Sequence, residues 1–488
     1  EFARAVLPHG TTTVIIDPHE VANVFGLRGV RALLESAGDV PLDYYVMVPS
    51  CVPASSFESS GATVTAEDVG EFLREQPEAI GLAEVMDFPG VVAGDAGILA
   101  KLAATRAAGR HTDGHAPALS GHALNAYLAT GIGSDHECTG AAEALEKRRL
   151  GMWIMIREGS AARNLEALLP VVLEHGPRNS MLCTDDREPD HLLHDGHMDS
   201  VVRKAISLGC PPADAIVMAT LNTARWHRRY DHGAIAPGYV ADVIAVPDLR
   251  EFRPARVWKR GRLVASDGAA VPIPKARAPE WMHDSVRILA VSAADFRIAD
   301  GGPVRVIGVE PGSLTTRALV AEPGHRNGEA TADPDRDLAK VAVIERHRGT
   351  GRIGTGFVSG FGLRRGALGS TIAHDAHNLG VVGVDDADMA VAANRLAEIG
   401  GGQIAVLNGR VLAELPCPVA GLLSELPFEE VAAGTMRLEA AAHNELGATY
   451  PAPFMAMSFL ALSVIPELRI TDRGLVDVVN FEPVSLRA

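Results

Sequence analysis

Four acidic and imidazole side chains close successive apolar segments in the first half of this chain. They are Glu84 in AIGLAEVMD, His115 in RHTDGHAP, His136 in GIGSDHECT and Asp185 in NSMLCTDDREP. Carboxylates and imidazoles together suit one or two divalent metals of the first transition series. A lone histidine at a strand end is more often structural, but four such residues in succession favour ligands. The sequence therefore predicts a metal-dependent hydrolytic site.

The residue types suggest a separate role for each of these side chains. Glu84 has two carboxylate oxygens and is suited to bridging two cations, while His115 and His136 suit the second metal. Asp185 is suited to binding the first metal and to accepting a proton from the bridging water. Asp186, its neighbour, has three open roles: orienting a ligand, contacting substrate or capping the following turn.

Strand-like and helix-like segments alternate between residues 10 and 187, which indicates βαβ units and a parallel sheet. In a parallel barrel the carboxyl ends of the strands open on one face, so distant ligands converge there. Seven strands are visible, and a closed (β/α)8 barrel needs one more, which we expect upstream of Glu1. An open doubly wound sheet is the alternative. The predicted strands span 11–18, 44–50, 79–85, 110–116, 131–137, 152–160 and 179–186, and the predicted helices include 66–76, 94–109, 140–150 and 161–176.

The length of 488 residues exceeds one ordinary domain. We expect a hydrolase barrel over 1–225, a small β-sandwich segment with a linker over 226–283, and a C-terminal α+β domain over 284–488.

Bulk composition limits the partners. The formal charge of −16 offers no basic patch for a nucleic-acid backbone, and no apolar run is long enough for a membrane span. The five cysteines form no CxxC pair, which favours a reducing cytoplasm. The basic runs EKRRL (146–150) and WHRRY (226–230) predict solvated faces. His374 and His377 in HDAHN are equally compatible with a third metal site, a place at the active-site mouth or a structural role.

The longer motifs carry a family resemblance. Glu, His, His and Asp on strands four, five, six and eight resemble the amidohydrolase superfamily, as does GAIAPGYVADVIAVPD followed by VWKRGRLV. Nearly the whole chain resembles the bacterial adenine deaminases. The motifs are HGTTTVIIDPHEVANVFG, EVMDFPGV, DGHAPALSG, GIGSDHE, LCTDDREP and HDAHNLGVVGVDDADMAVAANRLAEIGGG.

The resemblance implies a TIM-type (β/α)8 barrel, a small β-sandwich and an extra C-terminal α/β domain. It also implies hydrolysis of adenine to hypoxanthine and ammonia at a centre of two metals, with Mn²⁺, Fe²⁺ or Zn²⁺. Glu84, His115, His136 and Asp185 are then the metal ligands, and Asp185, Glu84 and His136 act in catalysis. Asp186 and Ser120 are predicted to contact the purine. A homodimer is expected.

One family feature is missing from the printed sequence. The superfamily carries a His-x-His pair on its first strand, and no such pair precedes TTTVIID, since His9 and His19 lack that spacing. We expect it upstream. Two alternatives stay open: an amidohydrolase acting on another cyclic amide or amidine, and a non-catalytic scaffold of the same fold.

Overall fold

A computed structural model describes residues 1–160 and 162–488, and its contacts divide the chain into two compact units. The small sheet expected as a separate segment after residue 225 belongs to the same unit as the parallel strands. Two short segments of the first half group with the C-terminal region. Unit 1 is Glu1–Pro18, Leu33–Cys51 and Val64–Ala276, and unit 2 is His19–Ala32, Val52–Thr63 and Arg277–Ala488.

Unit 1 contains the parallel strands that the sequence predicts; β3 has the predicted bounds, and the other six strands are shorter than expected. Strands β1 to β4 pair in chain order, β5 to β7 do the same, and a parallel bridge between Thr112 and Ile132 links the two sets. Within the described residues no pairing joins β7 to β1, so the closed eight-stranded barrel stays a prediction. The strands are β1 (Thr13–Ile16), β2 (Asp43–Val48), β3 (Ala79–Val85), β4 (His111–Gly114), β5 (Ser134–Asp135), β6 (Trp153–Arg157) and β7 (Ser180–Cys183).

Helices separate these strands, and local chemistry sets several of their starts. Thr65 and Asp68 form a capping box, in which each side chain accepts from the other residue's backbone N–H. The Asp95 carboxylate accepts from the backbone N–H of Ile98 at 2.9 Å. The predicted helix start at Ala161 lies outside the described residues. The α-helices of this unit are Phe2–Val6, Ala66–Glu75, Phe88–Ala93, Ala96–Ala107, Gly121–Ala129, Ala141–Arg149, Leu165–His175, Pro189–His194, Met198–Ser207, Pro212–Ala219 and Leu221–Trp226.

A small antiparallel sheet completes unit 1. Its strands pair in the order β11-β10-β9-β8, which matches the short strands predicted between 233 and 265. They are β8 (Val243–Ala245), β9 (Arg256–Lys259), β10 (Arg262–Ser266) and β11 (Ala269–Ala270).

Unit 2 is built on an eight-stranded mixed sheet of the described residues, in the order β14-β13-β18-β17-β20-β19-β21-β22. Helix Asp386–Glu398 packs its buried Met389 and Leu396 into one of the apolar clusters of this unit. Two further sheets have three strands each, in the orders β12-β16-β15 and β23-β24-β25. The strands are β12 (Ile298–Ala299), β13 (Val304–Val309), β14 (Thr316–Ala321), β15 (Gly324–Arg326), β16 (Glu329–Thr331), β17 (Ala339–Ile344), β18 (Ile353–Ser359), β19 (Ala367–Ser370), β20 (Leu379–Gly383), β21 (Gly402–Leu407), β22 (Arg410–Pro416), β23 (Leu468–Thr471), β24 (Gly474–Asp477) and β25 (Glu482–Val484).

Three further helical elements lie wholly or partly in unit 2. Helix His19–Ser36 is interrupted at Gly26, whose φ of 63° is left-handed, and its first fourteen residues belong to this unit. Helix Phe428–Ala440 runs into a π-helical turn at Ala441–Glu445, and helix Pro453–Phe459 follows. Among the described helices, none combines the length and apolar character that a bilayer span requires.

Candidate metal centre

Glu84 lies within β3, one residue before the last residue of the strand. Its neighbours Leu82 and Val85 are fully buried, so apolar packing fixes the strand on either side of the carboxylate. The hydroxyl of Ser50 donates to the backbone carbonyl of Glu84. The side chain is therefore presented by a rigid strand.

Glu84, His115 and His136 come together as one cluster. Nδ1 of His115 donates to Oε2 of Glu84 at 2.7 Å, and Nε2 of His136 lies 3.1 Å from the same oxygen. The two imidazole rings are 5.4 Å apart between centroids. One ligand atom from each of the three residues lies within 4.8 Å of the others, which is the spacing of a metal-binding group.

The position of His115 depends on a buried tyrosine and a glycine. The hydroxyl of Tyr127 accepts from the backbone N–H of His115 at 3.0 Å and lies within hydrogen-bond distance of the carbonyl of Val85. A side chain at Gly114 would lie 2.3 Å from the carbonyl oxygen of Ser134, so only glycine allows β4 and β5 this approach. No role for Tyr127 is predicted from the sequence.

His136 is placed by the carboxylate that precedes it. The backbone N–H of Ala116 donates to Asp135 at 2.8 Å, and the buried Lys147 donates to the same carboxylate at 2.9 Å. Lys147 also donates to the carbonyl of Ala116 at 2.6 Å, so it connects the residue after His115 with the residue before His136. The prediction that EKRRL forms a solvated face is wrong at Lys147, whose side chain is 0% exposed.

Two residues without an assigned role complete the cluster. Oε1 of Glu137 lies 3.1 Å from Nε2 of His136, and both oxygens of Glu137 accept from the guanidinium of Arg157, at 2.6 and 2.9 Å. Arg157 is the last residue of β6, so the strand-end reasoning that selected His115 would also have found it. Glu137 stands beside His136 in the SDHE motif.

Arg157 also connects the cluster to Asp185. Its NH1 group donates to Oδ2 of Asp185 at 3.1 Å. Asp185 follows β7 by two residues in left-handed backbone with φ of 54°, and its side chain is 34% exposed. The carbonyl of Asp186 accepts from the backbone N–H of Ser160 at 2.9 Å. Ser120 is the exposed N-cap residue of helix Gly121–Ala129. Direct roles for these three residues stay predictions.

The carboxylates and imidazoles shift one another's protonation. Burial raises the pKa of Glu84, but the charge of His136 and the hydrogen bond from His115 outweigh it and hold this pKa well below its ordinary value. Burial likewise lowers the pKa of His136, and the charge of Glu84 with the hydrogen bond to Glu137 reverses this and raises the pKa well above its ordinary value. The site therefore attracts positive charge strongly.

The donor set fits a divalent cation. Nδ1 of His136 donates to the carbonyl of Gly114 at 3.2 Å, which directs the Nε2 lone pair of the neutral ring toward Glu84. Nε2 of His115 is buried and has no hydrogen-bond partner among the described residues. A buried imidazole nitrogen of this kind, beside a carboxylate, is what a metal would satisfy.

A cavity of about 340 Å³ in unit 1 lies elsewhere. It is lined by His111, Thr112 and Gly133, which stand at or near the amino ends of β4 and β5, together with Trp226 and three arginines. His115 and His136 directly follow the carboxyl ends of these strands, so this cavity is separate from the candidate metal centre.

Comparison with known proteins matches two family models to this chain. The amidohydrolase family matches residues 1–264, and the adenine deaminase C-terminal domain matches residues 313–482. A solved β-aspartyl dipeptidase from Fervidobacterium islandicum AW-1 aligns with 56% of this chain and 79% of its own, at 16% identity and a TM-score of 0.41.

Full-length relatives are much closer in sequence. The chain is 49% identical over 487 residues to an adenine deaminase of Desulfatibacillum aliphaticivorans, covering 100% of this chain and 85% of that protein. It is 51% identical over 480 residues to an adenine deaminase of Methylobacterium nodulans, covering 98% of this chain and 84% of that protein. This chain therefore belongs to the adenine deaminase family of amidohydrolases.

Proposed function

We propose that this protein is a hydrolase that deaminates adenine to hypoxanthine and ammonia. The observation that carries the proposal is the cluster of Glu84, His115 and His136, in a chain whose relatives along its whole length are adenine deaminases. These three side chains, with Asp185, would hold divalent metal, with Glu84 as the bridge between two cations. A bound divalent cation lowers the pKa of a coordinated water, so that hydroxide is available near neutral pH.

The reaction adds water at the C6 carbon of the purine. A C6–O bond forms, the C6–N bond to the exocyclic amine breaks, and the products are hypoxanthine and ammonia. Asp185 accepts a proton from the attacking water and passes it to N1 or to the departing amine, first as base and then as acid. His136 or a neighbouring donor polarises the ring.

The neighbours of these residues serve to position them. Arg157 donates to Asp185 at 3.1 Å while its other contacts hold Glu137, so the proton-transfer carboxylate is tied to the ligand cluster. Lys147 and Asp135 set the spacing of the segments that carry His115 and His136. Asp186 and Ser120 are assigned to purine contact.

The proposed cofactor is a pair of divalent ions, Mn²⁺, Fe²⁺ or Zn²⁺. We further propose a homodimer working in the cytoplasm. The five cysteines are all free, which suits a reducing compartment. Closed two-fold association is the commonest assembly of soluble enzymes. Light scattering that gives a 51 kDa particle at micromolar concentration would contradict the dimer.

The direct test is product analysis. Purified protein, freed of metal and reloaded with Mn²⁺, is expected to release equal amounts of ammonia and hypoxanthine from adenine. Guanine, cytosine, dihydroorotate and cyclic ureas serve as alternative substrates. Faster turnover of a cyclic amide than of adenine would reject the assigned substrate while keeping the hydrolytic class.

A further inference from the structure

A second group of metal-type side chains lies within unit 2. It consists of His19, His374 and Asp375, and one ligand atom from each lies within 4.8 Å of the others. His19 is the first residue of its helix, and the other two belong to the HDAHN motif. All three belong to the same compact unit, although the chain separates His19 from the motif by most of its length.

The spacing of the ligand atoms differs from that of hydrogen-bonded pairs. Oδ1 of Asp375 lies 3.7 Å from Nε2 of His19 and 3.7 Å from Nδ1 of His374. Both distances exceed the N···O separation of a hydrogen bond, which is at most about 3.2 Å. Ligand atoms held about 2.1 Å from one zinc ion at tetrahedral angles lie roughly 3.4 Å apart. Both distances thus stand nearer to the spacing of ligands around a cation than to that of a hydrogen-bonded pair.

An unsatisfied carboxylate oxygen gives a second, independent indication. The Asp375 side chain is only 2% exposed, and its Oδ2 atom makes no hydrogen bond to any described residue. A buried carboxylate oxygen without a partner is costly unless a cation or a donor reaches it. A bound divalent ion would remove that cost.

The segment that carries the ligands is held in place before any ion binds. The His374 ring stacks on Phe459 with centroids 4.7 Å apart and planes 15° from parallel, and its backbone N–H donates to the carbonyl of Ser458 at 2.7 Å. The side chain of Asn378 donates to the carbonyl of Ser59 at 2.8 Å. A preorganised loop loses little conformational entropy when a metal binds.

The two histidines of HDAHN have different roles in this arrangement. Nδ1 of His377 accepts from the backbone N–H of Ala373 at 3.0 Å, so its Nε2 atom carries the proton and is no ligand in that tautomer. His377 therefore shapes the loop, whereas His374 presents Nδ1 to Asp375.

A nearby acidic group also favours a cation. The carboxylate of Glu20 lies 3.4 Å from Nε2 of His19. It adds negative charge beside the three residues, which a divalent ion would offset.

We propose that His19, His374 and Asp375 bind a divalent cation of the first transition series, in addition to the ions proposed at the deamination centre. Two imidazoles and one carboxylate suit Zn²⁺, Mn²⁺, Fe²⁺ or Co²⁺. The ion joins the start of a helix to the HDAHN loop, and therefore stabilises unit 2.

Locating the ion in the unmodified protein is the first test, with Zn²⁺ as the probe. Crystals of metal-stripped protein are soaked in Zn²⁺, and anomalous scattering is recorded at the zinc edge. A peak about 2.1 Å from Nδ1 of His374 and from Oδ1 of Asp375 is expected. Zinc peaks confined to Glu84, His115 and His136 would overturn the proposal.

Stoichiometry of Zn²⁺ in solution is the second test. Metal-stripped wild type is expected to bind one tight equivalent more than His374→Gln and one more than Asp375→Asn. The control His443→Gln, which changes a half-exposed histidine of unit 2, should keep the wild-type stoichiometry. The variant His115→Gln should lose zinc from the deamination centre while retaining the equivalent that His374→Gln loses.

Equal zinc binding by wild type and Asp375→Asn would reject the site even if His374→Gln fails to fold. A pH-dependent imidazolium–carboxylate pair is the competing explanation of the geometry. That explanation predicts that Zn²⁺ leaves the melting temperature of the His115→Gln variant unchanged. A metal site in unit 2 predicts that Zn²⁺ raises this melting temperature, and that the double variant His374→Gln/His115→Gln shows no such rise.

Discussion

Lys147 Nζ lies 2.9 Å from Oδ2 of Asp135, and neither side chain is exposed to solvent. The lysine also donates to Glu143 at 2.6 Å and to the carbonyl of Ala116. This buried ion pair holds together the two segments that carry His115 and His136. The cluster of Glu84, His115 and His136 therefore depends on a lysine that takes no part in the proposed chemistry.

Removing the charge of the Lys147 side chain should destabilise unit 1. Lys147→Met leaves the Asp135 carboxylate buried and uncompensated, which is expected to cost about 3–5 kcal/mol of unfolding free energy. Urea unfolding followed by circular dichroism measures the change. Arg149→Met, at an exposed position of the same helix, is the matched control and should stay within about 0.5 kcal/mol. Equal effects of the two variants would show that the ion pair contributes nothing.

The same pair predicts how stability depends on pH. Burial raises the pKa of Asp135, but the charge of Lys147 outweighs it and lowers this pKa below its ordinary value. Between the folded pKa and about 3.9, the unfolded chain binds a proton that the folded chain does not. The contribution of Asp135 is thus complete above that window and is lost as the pH falls through it.

Urea unfolding at a series of pH values between 7 and 3 tests this dependence. Lys147→Met/Asp135→Asn should lose less stability than wild type as the pH falls below about 4, because its carboxylate is absent. Identical slopes for both proteins would assign the acid sensitivity to other groups, such as Glu137, whose pKa is also lowered.

Replacing the Glu84 carboxylate should remove metal and activity while keeping the fold. Glu84→Gln exchanges the proposed charged bridge for a neutral amide that binds two cations poorly, whereas β3 is held by the buried Leu82 and Val85. Metal content by elemental analysis and ammonia release from adenine are the measurements. Glu78→Gln, at an exposed position just before the same strand, is the control. Wild-type turnover by Glu84→Gln would make Glu84 structural.

The adjacent aspartates should differ in their effects. Asp185→Asn is expected to reduce turnover by roughly three or more decades, because it removes a proton-transfer group together with metal charge compensation. Asp186→Asn should reduce turnover less, and its main effect should be a higher KM for adenine. Steady-state kinetics and metal content distinguish the two. If Asp186→Asn strips the metal and Asp185→Asn does not, the roles are reversed.

Arg157 should act as a positioning residue. Arg157→Lys keeps the positive charge but loses the two parallel bonds to Glu137 and the bond to Asp185. We expect kcat to fall about tenfold to a hundredfold with little change in KM. The fall should exceed that of the exposed control Arg163→Lys. A lysine variant with wild-type kcat would show that Arg157 only neutralises buried charge.

Local patterns in the sequence predict the residue types of the candidate metal centre, the alternation of strands with helices and the family. These rest on local patterns, because apolar runs and helix caps act over a few residues. Each of the strands β1 to β7 accordingly overlaps its predicted segment, and Glu84, His115 and His136 form one cluster.

The neighbours of these three side chains depend on the tertiary structure. Lys147 stands in a charged run that predicts a solvated face, yet burial and the distant Asp135 make it part of the core. Glu137 and Arg157 are paired only because two strands bring residues twenty positions apart into contact. Likewise, His19 meets the HDAHN loop only in the folded unit 2. Partners far apart in the chain leave no local pattern, since burial and electrostatic pairing depend on the whole packed unit.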